Sequence, residues 1–454
     1  MKRNAQQYLK SWRRESTRRP LIIRGARQVG KTYLVRSFAQ EFENLVEINF
    51  ERNPEIAELF VSNDPVQIIG LLELLLQTTI VPGKTLLFLD EIQARPNIIA
   101  SLRYFYEEMN DLHVIAAGSL LEFALAKPTF SMPVGRIEYL YLGPIQFEEY
   151  LVAIGRQKLV LFLKNFHLSD SIPAPIHKQL LEHLHVFIIT GGMPDAIKNF
   201  IDNKSWQNCE KAKASILTTF QDDFNKYGTK VNPDILYDLF RKIPFQIGQK
   251  FKYANINRHL RAAVLSKALS LLCQAKIATK IHHSSGNGLP LGAEISHKKF
   301  KTIFLDTGLM ATACGLNVLD LKKVEDIIMV NNGALCEQFI GQHLLYSGEF
   351  YREPELFYWA REQRGSSAEV DYLVSNGTNI IPVEVKAGKG SSLKSLQMFL
   401  KTKQLKTGLR FNNDTPSLLQ TKSALANGNN IPFQLLSLPL YMVGQTKRLL
   451  AELD

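Results

Sequence analysis

Short apolar runs alternate with segments of helical period through the first 150 positions. PLIIRG (20–25), LVEINF (45–50), TLLFLD (85–90) and LHVIAAG (112–118) are apolar and rich in branched side chains, with little polar alternation. That is the pattern of strands buried on both faces. Lys31–Glu41, Asn53–Phe60, Pro65–Gln77 and Pro96–Met109 lie between them and read as helices, and IEYLYLG (Ile137–Gly143) reads as a last strand. Strands and helices in strict alternation imply a parallel sheet covered on both faces, so the fold class is α/β. Helical patterns then dominate to about Phe200, broken by the turn signal GGMP at Gly191–Pro194.

Two further patterns follow. Ile235–Ile247, Asn255–Arg261 and Ala262–Ala275 read as three amphipathic helices. Behind them IATKIHHS and KKFKTIFLD flank the loop GNGLPLG, and the whole suits a winged helix-turn-helix. Further on, GALCEQFIGQHLL reads as a helix, and WAREQRGSSAEVDYLVS and NIIPVEVKAGK as adjacent strands. The expected divisions are residues 1–200, 201–325 and 326–454, which fits the prior of about 150 residues per domain.

Composition excludes disordered, fibrous and disulfide-scaffold classes: 45% of residues are apolar and 21% charged. The net charge is +11, and it is unevenly placed. Phe251–Lys301 holds nine basic residues against Glu294, and Val385–Leu450 ten against Asp414, so a polyanion would be met there rather than on the first half. Cys209, Cys273, Cys314 and Cys336 form no CxxC pair and read as thiols of a reducing compartment. The N-terminal stretch has no apolar segment of a signal peptide. The longest apolar stretch, Ile68–Val81, contains Glu73 and is too short to span a bilayer. A soluble cytoplasmic protein without a membrane partner is expected.

The chemistry begins at GARQVGKT, the pattern G-x-x-x-x-G-K-[ST] placed between a strand and a helix. Gly25 and Gly30 permit a tight turn, and the backbone of Ala26, Arg27, Gln28 and Val29 can aim N–H groups at phosphate oxygens. The helix that starts at Lys31, Thr32 and Tyr33 adds its positive dipole end. Lys31 can reach the β- and γ-phosphates of ATP, and the Thr32 hydroxyl can ligate Mg2+. Asp90, at the end of an apolar strand, can hold Mg2+ through water, and Glu91 can orient or deprotonate an attacking water. Ser119, at another strand tip, senses the γ-phosphate, caps the next helix, or does both. Arg136 either stabilises transition-state charge, delivered from a neighbouring subunit, or pairs with a local acid; Arg95 and Arg103 are weaker candidates.

In the middle region Arg261, Lys267 and Lys276 on the third helix, with Lys280, Lys298, Lys299 and Lys301 on the wing, would neutralise DNA phosphates. The alternative is a winged helix that packs on protein and keeps a solvated basic face. His282, His283 and His297 show no ligand spacing. In the last region Glu384 and Lys386 stand two apart on a strand and face one side, with Asp371 a hairpin's distance earlier and Glu337 on a helix. Glu337, Asp371 and Glu384 could bind Mg2+ or Mn2+, and Lys386 could activate water for phosphodiester cleavage. The alternative is a salt-bridge ladder across strands.

GARQVGKT, FLDEIQ, AAGS, PVGRIEYLYLGPIQFEEYL and ITGGMP together resemble bacterial and archaeal AAA-type ATPases that carry a C-terminal domain long labelled of unknown function. The resemblance runs over nearly the whole chain. It implies an AAA-type P-loop core with a helical lid, a winged-helix module, and a C-terminal α/β restriction-endonuclease-like domain of the PD-(D/E)xK kind. It gives Lys31 and Thr32 the phosphate-loop roles, Asp90 and Glu91 the magnesium and water roles, and Asp371, Glu384 and Lys386 the nuclease-core positions. Val370 stands where such nucleases often have Pro, and Ser119 where many AAA proteins place Asn. The expected activity is ATP hydrolysis coupled to DNA remodelling or processing, in a homo-oligomeric ring, a hexamer by family analogy. The alternatives are an ATP-dependent switch or scaffold that binds a protein partner, its nuclease-like domain inactive, and a metal-dependent nuclease gated by ATP.

Overall fold

In the computed structural model, residues 1–126, 131–227, 231–316, 333–363, 366–386, 393–422 and 432–453 are described. The expected division at 325/326, and Arg364, Gly365 and Ala387–Lys389 of the end-domain strands, lie outside them. The chain forms two compact units: Met1–Gly143 with Gln274–Lys276 and Gly348–Pro354, and Pro144–Cys273 with Ile277–Ser347 and Glu355–Asp454.

The first unit is a five-stranded parallel sheet. Its strands are β1 (Leu21–Arg24), β2 (Asn44–Asn49), β3 (Thr85–Asp90), β4 (His113–Ala117) and β5 (Glu138–Tyr141), in the order β2-β3-β4-β1-β5. Every residue of β3 and β4 is buried, as their unbroken apolar character requires. Helices α1 (Ala5–Arg14), α2 (Lys31–Phe38), α3 (Pro65–Leu76) and α4 (Ile98–Glu108) accompany it. Ile22, Ile48, Leu87, Leu89, Leu102 and Phe105 share its core. Asn53–Phe60, expected as a helix, begins at Pro54 and is a 3-10 helix. The strand order matters for chemistry: β4 lies between β1 and β3, so the carboxyl ends of these three strands stand side by side.

The second unit opens with helices, including α5 (Ala174–Thr190) and α6 (Pro194–Asn203), which flank the GGMP turn. Asp306, fully buried, explains Gly191, while a Cβ on Gly192 would meet Ile145 O at 2.3 Å. The Asp306 carboxylate accepts hydrogen bonds from Gly192 N at 2.5 Å and Leu309 N at 3.0 Å, and a Cβ on Gly191 (φ 75°) would fall 2.1 Å from its Oδ1. Of the three expected helices, the first and third appear as Pro233–Lys242 and Ala262–Gln274; the second, expected over Asn255–Arg261, is a single turn at Tyr253–Ile256, and residues 257–261 are not helical.

The hairpin behind them pairs β6 (Ala278–Ser284) with β7 (Ile295–Phe304), antiparallel. It is not confined to its own module. β6 also pairs in parallel with β8 (Phe357–Gln363), so the hairpin is the edge of an eight-stranded sheet. That sheet continues through β9 (Ser366–Asn376), β10 (Asn379–Val385), β11 (Thr407–Asn412), β13 (Pro432–Pro439) and β12 (Ser417–Lys422). Helix α7 (Ala334–Leu345) is almost wholly buried. Tyr372 on β9 donates its hydroxyl to Glu337 O at 2.9 Å, and a Cβ on Gly341 would meet the Tyr372 Oη at 2.3 Å.

Candidate active site

The phosphate loop joins β1 to α2. Gly25 has φ 154°, and a Cβ there would lie 2.2 Å from Leu142 O, so glycine is required. Gly30, at φ 93°, is the N-cap of α2, and Gln28 takes φ 64° between them. Val29 and Ala26 are buried under the loop, while Tyr33 is exposed on α2. Lys31, 8% exposed, donates from Nζ to Gly25 O at 3.0 Å and Ala26 O at 2.9 Å. Burial pushes its pKa down to about 8 against the pull of Glu91 and Asp90. An amine so placed gains from any anion brought to the loop.

Thr32 Oγ1 donates to Asp90 Oδ2 at 3.0 Å. Two hard oxygens therefore converge beside the loop, which suits Mg2+. Burial, and then the charge of Glu91, raise the Asp90 pKa to about 6, the mark of a carboxylate short of positive charge. Glu91 sits at φ 50°, a strained backbone for a residue with a side chain. Its Oε2 accepts from Gln93 Nε2 at 2.6 Å and from Ser119 Oγ and N at 3.2 and 3.3 Å. The structure thus brings Lys31, Thr32, Asp90, Glu91 and Ser119 to one edge of one sheet.

Sequence reasoning missed three neighbours. Gln93, two positions after Glu91, holds that carboxylate. Arg24, the residue before the loop, pairs with Glu122 and donates to Tyr141 Oη at 2.9 Å. Arg3, 8% exposed, donates to Val29 O at 2.9 Å and Gly143 O at 2.7 Å. Gln93 could have been found from its spacing; Arg3 is one basic residue among many. Arg136 pairs with Glu107 at 2.7 Å in this chain, and Arg103 pairs with the same acid. Arg95 donates to Ala94 O.

In the second unit Asp371, Glu384, Lys386 and Glu337 also assemble. Asp371 Oδ2 accepts from Val385 N at 2.7 Å, and Glu384, 4% exposed, pairs with Lys386. Glu369, unread in the sequence, joins them from the strand face of Asp371. Burial raises Glu337 to about 7 and, with Asp371, Glu384 to about 8.

Lys301 overturns its expected place on a phosphate-contacting wing. It is 1% exposed, and its Nζ lies 2.7 Å from Glu337 Oε1, 2.6 Å from Glu369 Oε1 and 3.7 Å from Asp371 Oδ1. Burial opposes its charge, but these carboxylates hold its pKa well above the ordinary lysine value. A group so enclosed cannot meet DNA. Of the expected ligands, Glu337 and Asp371 face this ammonium while Glu384 pairs with Lys386; among the described residues no group of three or more His, Cys, Asp or Glu is placed to hold a metal. The other basic residues stay outside. Arg261, Lys267 and Lys298 are exposed. Lys280 lies over the Phe300 ring, and Lys299 pairs with Glu362 at 3.4 Å.

A parallel sheet in the order β2-β3-β4-β1-β5, with the phosphate loop after β1, an acidic pair after β3 and a polar residue after β4, defines a P-loop ATPase domain. A family model described as an AAA domain matches residues 17–151, the stretch that holds the loop and all five strands. Residues 181–320 and 332–429 match models described as domains of unknown function, DUF8612 and DUF4143.

No curated protein matches the chain. Similar solved structures include a Walker-type ATPase of Pyrococcus abyssi, 14% identical over 68% of this chain and 94% of that one, with a TM-score of 0.42. The ORC2 protein of Aeropyrum pernix is 11% identical over 71% and 96%, at 0.36. The ORC1 protein of the same organism, solved in complex with DNA, is 13% identical over 70% and 92%, at 0.26. At these scores the assignment rests on the loop, the sheet and the family model. Among the described residues no helix is long and apolar enough to cross a membrane.

Proposed function

We propose that the chain is a Mg2+-dependent ATP hydrolase whose cycle is coupled to DNA bound by the second unit. The contact between Thr32 and Asp90, with Glu91 held beside Ser119, carries the hydrolytic part. Backbone N–H groups from Gly25 to Lys31 and the start of α2 receive the phosphates, and the Lys31 ammonium turns from the loop carbonyls to the γ-phosphate. Thr32 and Asp90 would hold Mg2+, which would supply charge neutralisation at the phosphates. Glu91 orients the attacking water and accepts its proton through the carboxylate oxygen that Gln93 and Ser119 leave open. Ser119 fixes the Glu91 rotamer. Arg136 reaches a neighbouring subunit's phosphates in a homo-oligomeric ring, exchanging its exposed partner Glu107 for them.

DNA coupling is supported by the exposed cations Arg261, Lys267 and Lys298 within the basic segment 251–301. One observation favours the competing reading, an ATP-dependent switch for a protein partner. Lys301 is buried, and Lys299 shares Glu362 with Lys250, so the basic face is smaller than the segment's charge implies.

The deciding experiment measures ATP hydrolysis with duplex, branched and single-stranded DNA, at two salt concentrations, alongside a gel for cleavage. Stimulation that weakens with salt, and is lost on Lys298→Glu with Lys299→Glu while basal hydrolysis persists, supports the DNA reading. Hydrolysis indifferent to every DNA refutes it in favour of the switch.

A further inference from the structure

The carboxylate cluster of the second unit has the composition of a metal-dependent nuclease core but not its electrostatics. Glu337, Glu369 and Asp371 each direct an oxygen at Lys301 Nζ, two of them at hydrogen-bond distance. A Mg2+ ion ligated by Glu337 and Asp371 would lie roughly 2.0–2.1 Å from an oxygen of each, and so within a few ångström of the Lys301 ammonium that faces both. It would therefore have to displace the ammonium, or lie against it inside a pocket where like charges are poorly screened. The lysine has no easy exit: its side chain is 2% exposed, and its amine also lies 5.5 Å from the Tyr358 ring centroid.

We infer that Lys301 is the resident cation of this cluster, standing where the resemblance to PD-(D/E)xK nucleases would place a divalent metal. The residues present do not fit that metal while Lys301 is in place. The end domain is then a nuclease-like fold held together by its own lysine, and it does not position a metal-bound water for phosphodiester cleavage. A second, independent feature lies beside it. Glu384 is 4% exposed, and its Oε2 has no hydrogen-bond partner among the described residues, its other contact being Lys386. Lysine supplies one positive charge to a pocket of four carboxylates, with Lys386 as the second. Removing Lys301 leaves Glu337, Glu369 and Asp371 facing one another with no cation between them, a repulsion that an added cation would relieve. This inference does not depend on whether the partner is DNA or protein.

The test is Mn2+ binding to the full chain, read by electron paramagnetic resonance with no nucleotide added. The wild type is expected to show no tight Mn2+ in this cluster, so Asp371→Asn leaves its Mn2+ binding unchanged. Lys301→Met, close in length and uncharged, is expected to gain one tight Mn2+ per chain and to recover thermal stability when Mn2+ is added. Asp371→Asn placed in that background should abolish the gain. Two outcomes overturn the inference. One is a wild-type Mn2+ that Asp371→Asn removes; this comparison needs no Lys301 variant and stands even where Lys301→Met does not fold. The other is a folded Lys301→Met chain that gains no Mn2+.

Discussion

Arg3 offers the sharpest test of how the phosphate loop is held. It lies just ahead of α1, yet its guanidinium reaches the carbonyls of Val29, inside the loop, and Gly143, beyond β5. Hydrogen bonds from a charged donor are worth about 1.5–3 kcal/mol each, so the pair has a ceiling of about 6 kcal/mol. Truncation returns side-chain entropy of about 2 kcal/mol and lets water reach part of the gap, which leaves a net loss of about 2 kcal/mol. If that loss falls on the loop's binding conformation, nucleotide affinity drops about thirty-fold, since about 1.4 kcal/mol is a factor of ten. Arg3→Ala should therefore raise the Kd for a fluorescent ATP analogue by that order, with Arg3→Lys intermediate and the exposed neighbour Lys2→Ala unchanged. Circular dichroism separates weak binding from unfolding. A folded Arg3→Ala chain whose Kd moves less than twofold would refute the bracing role.

Glu91→Gln should bind ATP normally and hydrolyse it at least about 100-fold more slowly, because the proton acceptor is gone; a turnover assay with parallel binding measurement decides it. Arg136→Ala should leave Tm and ATP affinity nearly unchanged, its Glu107 pair being exposed, but lower turnover about 1,000-fold if it serves a neighbouring subunit, and wild-type turnover would remove it from the mechanism. His343 gives a pH prediction. Its Nε2 accepts from Phe147 N at 2.9 Å, Nδ1 donates to Phe339 O, and burial lowers its pKa from 6.5 to about 4. Between those values the unfolded chain holds more protons, so stability is full above pH 6.5 and falls as the pH drops. The loss reaches about 2 kcal/mol at pH 5. His343→Gln, which keeps an acceptor for Phe147, should flatten the Tm profile between pH 7 and 5.

The first unit was legible because its signals are local. Buried parallel strands need unbroken apolar runs, and the phosphate loop needs its glycines and lysine at fixed spacing, so β1 to β5 and the pocket at their tips follow from contiguous segments. What stayed hidden there depends on distance in the chain. No spacing rule links Arg3 to Gly143, or Glu122 to Arg24. GGMP was readable as a turn, but the reason for its first glycine is Asp306, more than a hundred residues later.

The second unit shows why a charge count fails where pairing is non-local. Residues 251–301 carry nine basic side chains, and the three-helix-plus-hairpin pattern made them one basic face. The pairing of His282 with Phe357 ties that hairpin to a sheet built from residues beyond 355. Half of β7 then passes from solvent to interior: Lys298 is exposed, while Phe300, Lys301, Thr302, Ile303 and Phe304 are all buried. The sequence held a clue. Lys301 stands between Phe300 and the run TIFL, and a lysine within an apolar strand end must find carboxylates or lose its charge. Two of the acids that meet it, Glu337 and Asp371, were already in view as metal ligands, and a buried lysine and a set of carboxylates in one domain are each other's simplest neutralisation.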